Sequence, residues 1–145
     1  MIQLICPTPA LTSLDNSTRT EQIVELVNTY SPIVTKISAE DVEHYLFEEQ
    51  DDQVIACVRI QRVSWYQWEL SHLVTEPEHR GRGLAHRLVR RACQEIRRQG
   101  GLVVQCTIRC DGLTSQRVVS RLDFTPGVRF VGLSGRELQV WQKPL

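Results

Sequence analysis

Residues 69–98 read ELSHLVTEPEHRGRGLAHRLVRRACQEIRR, and this stretch decides the fold of the 145-residue chain. Its first part has the composition of a strand, its middle is a turn rich in arginine and glycine, and its remainder has the periodicity of an amphipathic helix. A helix start leaves its first N–H groups without partners inside the helix and carries about half a positive elementary charge. Gly81 and Gly83 would let a ligand approach the backbone, and Arg80 and Arg82 add positive charge beside them. A strand, a glycine turn and a helix in this order therefore predict a binding site for phosphate groups.

Two common nucleotide-binding motifs do not fit this turn. The dinucleotide fingerprint G-x-G-x-x-G fails at its last position, which is His86. The P-loop fails as well, because the sequence contains no Gly-Lys-Ser or Gly-Lys-Thr. Two alternatives stay open at this point: a domain that binds another nucleotide, and a structural turn with solvated arginines.

A third motif does fit. The run Arg80-Gly81-Arg82-Gly83-Leu84-Ala85 resembles the Q/R-x-x-G-x-G/A signature of the GNAT superfamily of N-acetyltransferases. The residues before it, 73–80, resemble that family's hydrophobic strand end followed by x-Pro-Glu-x-Arg, and Leu122-Asp123-Phe124 resembles its Leu-Gly-Phe ending. The predicted order of elements is similar to the GNAT fold over nearly the whole chain.

The resemblance implies that the chain binds acetyl-CoA as acyl donor. The pyrophosphate would lie on the backbone amides of the glycine turn, which comprises Arg80, Gly81, Arg82, Gly83, Leu84, Ala85 and His86. The pantetheine arm would pair like an extra strand with Leu73, Val74 and Thr75. The N–H near Thr75 would polarise the thioester carbonyl and stabilise the oxyanion of a tetrahedral intermediate.

Glu69 is the candidate general base, because an amine with a pKa near ~10 must lose a proton before it attacks. It lies six residues before Thr75, so strand alternation predicts that the two share a face. Apolar neighbours such as Trp65, Trp68 and Leu70 would raise its pKa. The alternative is an ordinary strand glutamate. His72 is expected on the opposite face unless the strand bulges, and there it would be a hydrogen-bonded core residue.

One position departs from the family pattern. Many members carry a Tyr five residues before the final Phe, thought to protonate the departing thiolate, and this chain has Val119 there. The Asn that usually begins that helix also has no clear equivalent. Two functions therefore stay open: an acetyltransferase that uses water as the acid, and a catalytically weak module that binds acyl-CoA as a regulatory or interaction domain.

The chain is predicted to form one α/β domain over residues 1–145, with a mixed, mainly antiparallel sheet of six to seven strands flanked by about four helices. Strand 102–108 is expected to run parallel to strand 66–75, because a helix joins them. The remaining predicted elements are a strand at 2–6, a loop at 8–19, a helix at 20–30 closed by Pro32, a shorter helix from Ser38, hairpin strands at 46–49 and 54–60, a helix at 115–122 and strands at 128–133 and 137–142.

Composition limits the classes of binding partner that we expect. Seventeen basic and seventeen acidic residues give a net charge of zero, so no nucleic acid or membrane surface is expected as a partner. No apolar run approaches ~20 residues and no signal peptide is recognisable, which predicts a cytoplasmic protein. The five cysteines are odd in number and lie in apolar segments, and no metal site is expected.

The acceptor is expected to be a small-molecule or peptide amine. The acidic segment 40–52 is either a solvated hairpin or the side that receives this cation. Trp65, Tyr66 and Trp68 either cap the sheet or form a wall of the acceptor pocket. The protein is expected to be a monomer or a homodimer, with Trp141 on the terminal strands as a possible dimer surface.

Overall fold

The computed structural model of the chain describes residues 2–5, 13–31, 36–42 and 44–145. Its seven strands form one mixed sheet in the order β1-β2-β3-β4-β5-β7-β6. The strands are β1 Ile2–Ile5, β2 Tyr45–Gln50, β3 Gln53–Arg62, β4 Gln67–Thr75, β5 Val103–Arg109, β6 Thr125–Val131 and β7 Glu137–Pro144. The helices are α1 Ser13–Tyr30, α2 Leu84–Arg98 and α3 Leu113–Arg121, with single 3-10 turns at Ala39–Asp41 and Pro77–His79. The predicted fold class is confirmed.

The parallel pair of strands is β4 and β5, as predicted, and every other neighbouring pair is antiparallel. Helix α2 makes the crossover between them, since parallel strands cannot be joined by a tight turn. The end of β4 and the beginning of α2 therefore lie at the same edge of the sheet. The glycine turn connects them there.

Helices cover the sheet on both faces. On one face α2 and α3 pack over a cluster that includes Leu88, Ile96 and Val119, and on the other α1 packs over a cluster that includes Ile23 and Phe47. The apolar stripe of α2 recurs at the predicted positions, Leu84, Leu88, Val89, Ala92, Cys93 and Ile96, all of them buried. Trp141 is only 8% exposed and belongs to the first cluster, so the idea that it forms a dimer surface is wrong.

One predicted helix boundary and one predicted helix were wrong. Helix α1 begins at Ser13 rather than at Thr20, because packing of its apolar residues against the sheet outweighs the weak helix propensity of the Ser, Thr and Asn residues in its first half. Residues 8–12 and Pro32 lie outside the described residues. The predicted helix from Ser38 is a single 3-10 turn, in which the backbone N–H of Ser38 donates to Asp41 Oδ2 at 2.7 Å. The described residues therefore contain three α-helices, one fewer than predicted.

Gly101→Ala is expected to destabilise the fold by about 1–3 kcal/mol, the usual cost of forcing extra volume into a packed core. A Cβ at Gly101 would lie 2.4 Å from Ile96 Cγ2 and 2.6 Å from Trp68 Cδ1. The matched control is Leu102→Ala, which changes a half-exposed neighbour and should stay within about 0.5 kcal/mol of the parent. Denaturant titration measures both, and equal stability of the two variants would contradict this packing.

Candidate functional site

A cleft of about 960 Å³ opens where β4 and β5 separate. The two strands pair in register from Gln67 with Val103 to Leu70 with Cys106, and beyond that point the cleft lies between them. Its α2-side wall includes Leu70, Leu73, Val89, Cys106, Ile108 and Val119. Its other wall includes Glu69, Ser71, His72, Thr107 and Arg109, and Arg136 lines the cleft from the loop between β6 and β7. One wall is apolar and the other carries the ionisable groups.

A β-bulge in β4 shapes the mouth of this cleft. Ser71 pairs with Arg59 and Val74 with Cys57, so His72 and Leu73 together oppose the single residue Val58. The backbone of His72 has a φ of 50°, in the left-handed region. An inserted residue reverses the alternation of side chains beyond it.

The prediction that Glu69 and Thr75 share a face is therefore wrong. Before the bulge, Trp68 and Leu70 pack into the α2-side cluster, so Glu69 between them faces the α1 side. After the bulge, Val74 packs into the α1-side cluster, so Thr75 faces the α2 side. The bulge brings His72 to the same side as Glu69 instead, and both residues line the cleft.

Glu69 lines the cleft, and its carboxylate is the end of a chain of side-chain hydrogen bonds through two glutamines. Gln105 Nε2 donates to Glu69 Oε2 at 3.2 Å, and Gln67 Nε2 donates to Gln105 Oε1 at 2.5 Å. The prediction that Glu69 has apolar neighbours is wrong, because Trp68 and Leu70 point to the opposite face and Trp65 is 72% exposed.

The aromatic residues of the β3–β4 turn do not line the cleft. Trp65 and Tyr66 stack edge to face with ring centroids 5.0 Å apart, just before the start of β4. The cleft lies towards the other end of that strand. Trp68 is buried in the core. The interpretation as a structural cap on the sheet fits these positions, and the interpretation as a wall of the acceptor pocket stays a prediction.

His72 has the environment of a neutral imidazole. Its Nδ1 lies 2.5 Å from the Tyr45 hydroxyl, and among the described residues Nε2 has no hydrogen-bond partner. Burial lowers the pKa of His72, the positive charge of Arg59 lowers it further, and Asp41 opposes both. In the tautomer whose Nδ1–H donates to the Tyr45 hydroxyl, the open Nε2 can accept a proton. The sequence could not reveal this role because only the bulge places the ring in the cleft.

The glycine turn leads into the first turn of α2 with both glycines in left-handed conformation. Gly81 has a φ of 80° and Gly83 a φ of 77°, and a Cβ built on either would have nothing within 4 Å. The space outside the turn is therefore open to a ligand. Arg80 Nε donates to the Thr75 carbonyl at 3.1 Å, and Arg82 contacts Gln50 Oε1 at 3.3 Å, which ties the turn to β4 and β2.

The remaining predicted residues of the turn differ in what they offer a ligand. The side chain of Leu84 is buried and Ala85 packs against the same cluster, so both offer only backbone groups. His86 is half-buried beside them. On β4, Glu76 N–H donates to Ile55 O at 2.8 Å, so by alternation the N–H of Thr75 faces away from β3. Of the three predicted pantetheine-binding residues Leu73, Val74 and Thr75, Leu73 lines the cleft.

Two carboxylates of the acidic segment 40–52 form ion pairs. Glu48 Oε1 lies 2.6 Å from Arg87 Nη1, and Glu49 Oε2 lies 3.1 Å from Arg19 Nη2. Of the described residues between 40 and 52, none lines the cleft. The carboxylates of Glu48 and Glu49 hold α2 and α1 against β2. The hypothesis that this segment receives a cationic acceptor stays a prediction. None of the helices in the described part of the chain is long and apolar enough to cross a membrane.

Two further residues that line the cleft, Cys106 and Val119, cannot act as a nucleophile or as an acid. Burial raises the pKa of Cys106 to about 12, so its thiol stays protonated and is a poor nucleophile. The other described cysteines, Cys57, Cys93 and Cys110, are also free. Val119 lines the cleft at the position where the family pattern has a tyrosine, and Ser115 lies near it on α3.

Comparison with known proteins gives a family and a fold. The model of the acetyltransferase (GNAT) family matches residues 10–124. A search of curated proteins found no match. The chain is similar to yncA from Salmonella typhimurium, solved with its cofactor acetyl-CoA, at 21% identity and a TM-score of 0.78, with 100% of this chain and 93% of that chain covered.

Two further solved structures share the fold. Ribosomal-protein-alanine N-acetyltransferase from Brucella melitensis is 18% identical with a TM-score of 0.75, covering 100% of this chain and 99% of that one. Aminoglycoside 6'-acetyltransferase type Ii is 17% identical with a TM-score of 0.80, covering 99% and 96%. The family match spans the bulged strand β4, the glycine turn, α2, β5 and α3. The chain belongs to the acetyltransferase (GNAT) family.

Proposed function

We propose that this protein is an N-acetyltransferase that moves the acetyl group of acetyl-CoA to a primary amine by direct attack in a ternary complex. The observation that carries this proposal is the meeting of two features at one sheet edge. The cleft between β4 and β5 opens at the end of β4, and the glycine turn at the start of α2 follows directly. A long donor with a diphosphate at one end and a thioester at the other matches that arrangement.

The donor would bind along the α2 side of the cleft. Its pyrophosphate would accept hydrogen bonds from the backbone of residues 80–86, where the open glycines and the positive end of α2 favour anions. Its pantetheine amides would pair with the backbone of residues 73–75, where the N–H of Thr75 points away from β3. The apolar wall would exclude water around the thioester.

In the transfer, the amine nitrogen attacks the thioester carbonyl carbon and forms a C–N bond. The tetrahedral intermediate then collapses, the C–S bond breaks, and CoA leaves as a thiolate. Since Val119 cannot donate a proton, we assign that proton to water. The proton lost by the amine goes to a base on β4.

Two residues of β4 are candidates for this base. Glu69, predicted from the sequence, lies at the floor of the cleft and would reach the amine through a water molecule. His72 lies at the bulge, where the cleft is open, and its imidazole is neutral near pH 7. We propose that His72 is the nearer acceptor of the proton and that Glu69 is the alternative.

The test is release of free thiol from acetyl-CoA over a panel of amines, with mass analysis of the acetylated product. We expect turnover with at least one amine and a mass gain of one acetyl group. Binding of acetyl-CoA without turnover on any amine would favour the alternative, a catalytically weak module that binds acyl-CoA, for which Val119 is the supporting observation. The cytoplasmic location and the state of monomer or homodimer remain predictions.

A further inference from the structure

Two arginines from two different elements line the cleft. Arg109 ends β5, and Arg136 precedes β7 in the loop that joins β6 to it. Asp111 and Ser134 line the cleft together with them. Both arginines therefore lie on the β5 and β7 side of the cleft, across from the bulge of β4.

Only one of these arginines is neutralised. Arg109 Nε donates to Asp111 Oδ1 at 2.9 Å and its Nη2 donates to Oδ2 at 2.7 Å, which engages both carboxylate oxygens. Among the described residues, Arg136 has no ion pair or side-chain hydrogen bond of its own, although its charge helps to lower the pKa of Asp111 after the larger effect of Arg109. The mouth of the cleft therefore keeps one uncompensated cation.

Helix α3 adds to this positive potential. Its first turn contains no acidic residue, and Gly112 and Ser115 from that end of the helix line the cleft. The partial positive charge of a helix N-terminus acts in the same direction as Arg136. A ligand that reaches this part of the cleft is favoured if it carries a negative group.

The strand register relates the arginine at the end of β5 to the proposed base. Leu70 and Cys106 are the last pair of β4 and β5, so His72 lies two residues beyond that pair on β4 and Arg109 three residues beyond it on β5. Three residues of strand correspond to about 10 Å. Both residues also line the cleft, and a small molecule that carries an amine and an anionic group a few bonds apart matches this arrangement.

We infer that the acceptor is a small amino carboxylate, such as a free amino acid, whose amine lies beside His72 and whose carboxylate is bound by Arg136. This inference rests on the proposed acetyl transfer and names its substrate class. Guanidinium groups suit carboxylates because their N–H groups match the two oxygens.

The experiment compares matched acceptors that differ only in the carboxylate: phenylalanine with phenylalaninamide and phenethylamine, and β-alanine with β-alaninamide. We expect kcat/KM to be about ten- to a hundredfold higher for the carboxylates, the effect of a hydrogen bond to a charged group. In Arg136→Gln this preference should fall towards one through a higher KM for the carboxylates, and Arg136→Lys should restore part of it. Arg129→Gln, on the same hairpin but outside the cleft lining, should keep the full preference.

Higher kcat/KM for the amides and plain amines would overturn this inference and leave the proposed acetyl transfer intact. A preference unchanged in Arg136→Gln would overturn it too. If no acceptor of either series is acetylated although acetyl-CoA binds, the proposed acetyl transfer itself fails, and the inference fails with it. These outcomes separate the two proposals.

Discussion

Gly83→Glu is expected to abolish detectable binding of acetyl-CoA while the protein stays folded. The new carboxylate would lie in the open space outside the turn, where the pyrophosphate is proposed to sit. It would repel the diphosphate and block access to the backbone N–H groups at the start of α2. Losing two hydrogen bonds to a charged group, at about 1.5–3 kcal/mol each, corresponds to a weakening of a hundredfold or more. Isothermal titration calorimetry measures the change.

Gly100→Glu is the matched control for this variant. Gly100 also has a left-handed φ, of 88°, and nothing within 4 Å of a built Cβ, but it follows the opposite end of α2. Both substitutions carry the same backbone strain, on the order of 1 kcal/mol, so their melting temperatures should fall alike. If the two variants bound acetyl-CoA equally well, the glycine turn would not be the pyrophosphate site.

His72→Gln is expected to lower kcat/KM by about 10² to 10⁴, the usual contribution of a general base. In the parent protein, activity should fall only as the pH drops through the pKa of His72, which burial holds below 6.5. Without the base, the rate depends on the small fraction of free amine, which grows up to a pH near ~10. The deficit of the variant should therefore be largest at low pH. A pH profile of kcat/KM measures it.

Glu69→Gln and His44→Gln complete this comparison. His44 is exposed and does not line the cleft, so its variant should match the parent. If Glu69→Gln shows the pH-dependent loss and His72→Gln stays within twofold of the parent, the base is Glu69. Melting temperatures are needed at each pH: because the pKa of His72 is lower in the folded than in the unfolded state, its contribution to folding stability is complete above 6.5 and is lost as the pH falls below it.

The sequence was most informative where one pattern determined one element. The apolar residues of α2 recur at helical spacing, and the glycines before the helix and after it mark both ends, so its position was predicted closely. The strand that follows had to be parallel to β4 for topological reasons. These elements alone place the glycine turn beside the end of β4.

The face that carries the candidate base was not predictable from the same patterns. One extra residue in β4 reverses every side-chain direction beyond it, and nothing in Ser71-His72-Leu73 marks the bulge. Counting by two put Glu69 on the face of Thr75, and it put His72 on the opposite face unless the strand bulged. The bulge instead places His72 on the side of Glu69, with a hydrogen bond to Tyr45. The arginines at the cleft mouth were missed for a similar reason, since Arg109 and Arg136 meet only through the pairing of β5 with β7.

Isothermal titration calorimetry of the purified parent protein with acetyl-CoA shows whether the glycine turn holds the diphosphate of CoA, with ATP and NAD as competing ligands in parallel titrations. We expect saturable binding of one equivalent of acetyl-CoA in the micromolar range, displaced by free CoA and unaffected by the two other nucleotides. Absence of binding to acetyl-CoA and to CoA, or equal binding of ATP or NAD, would contradict it, because the glycine turn would then be structural or would serve a different nucleotide.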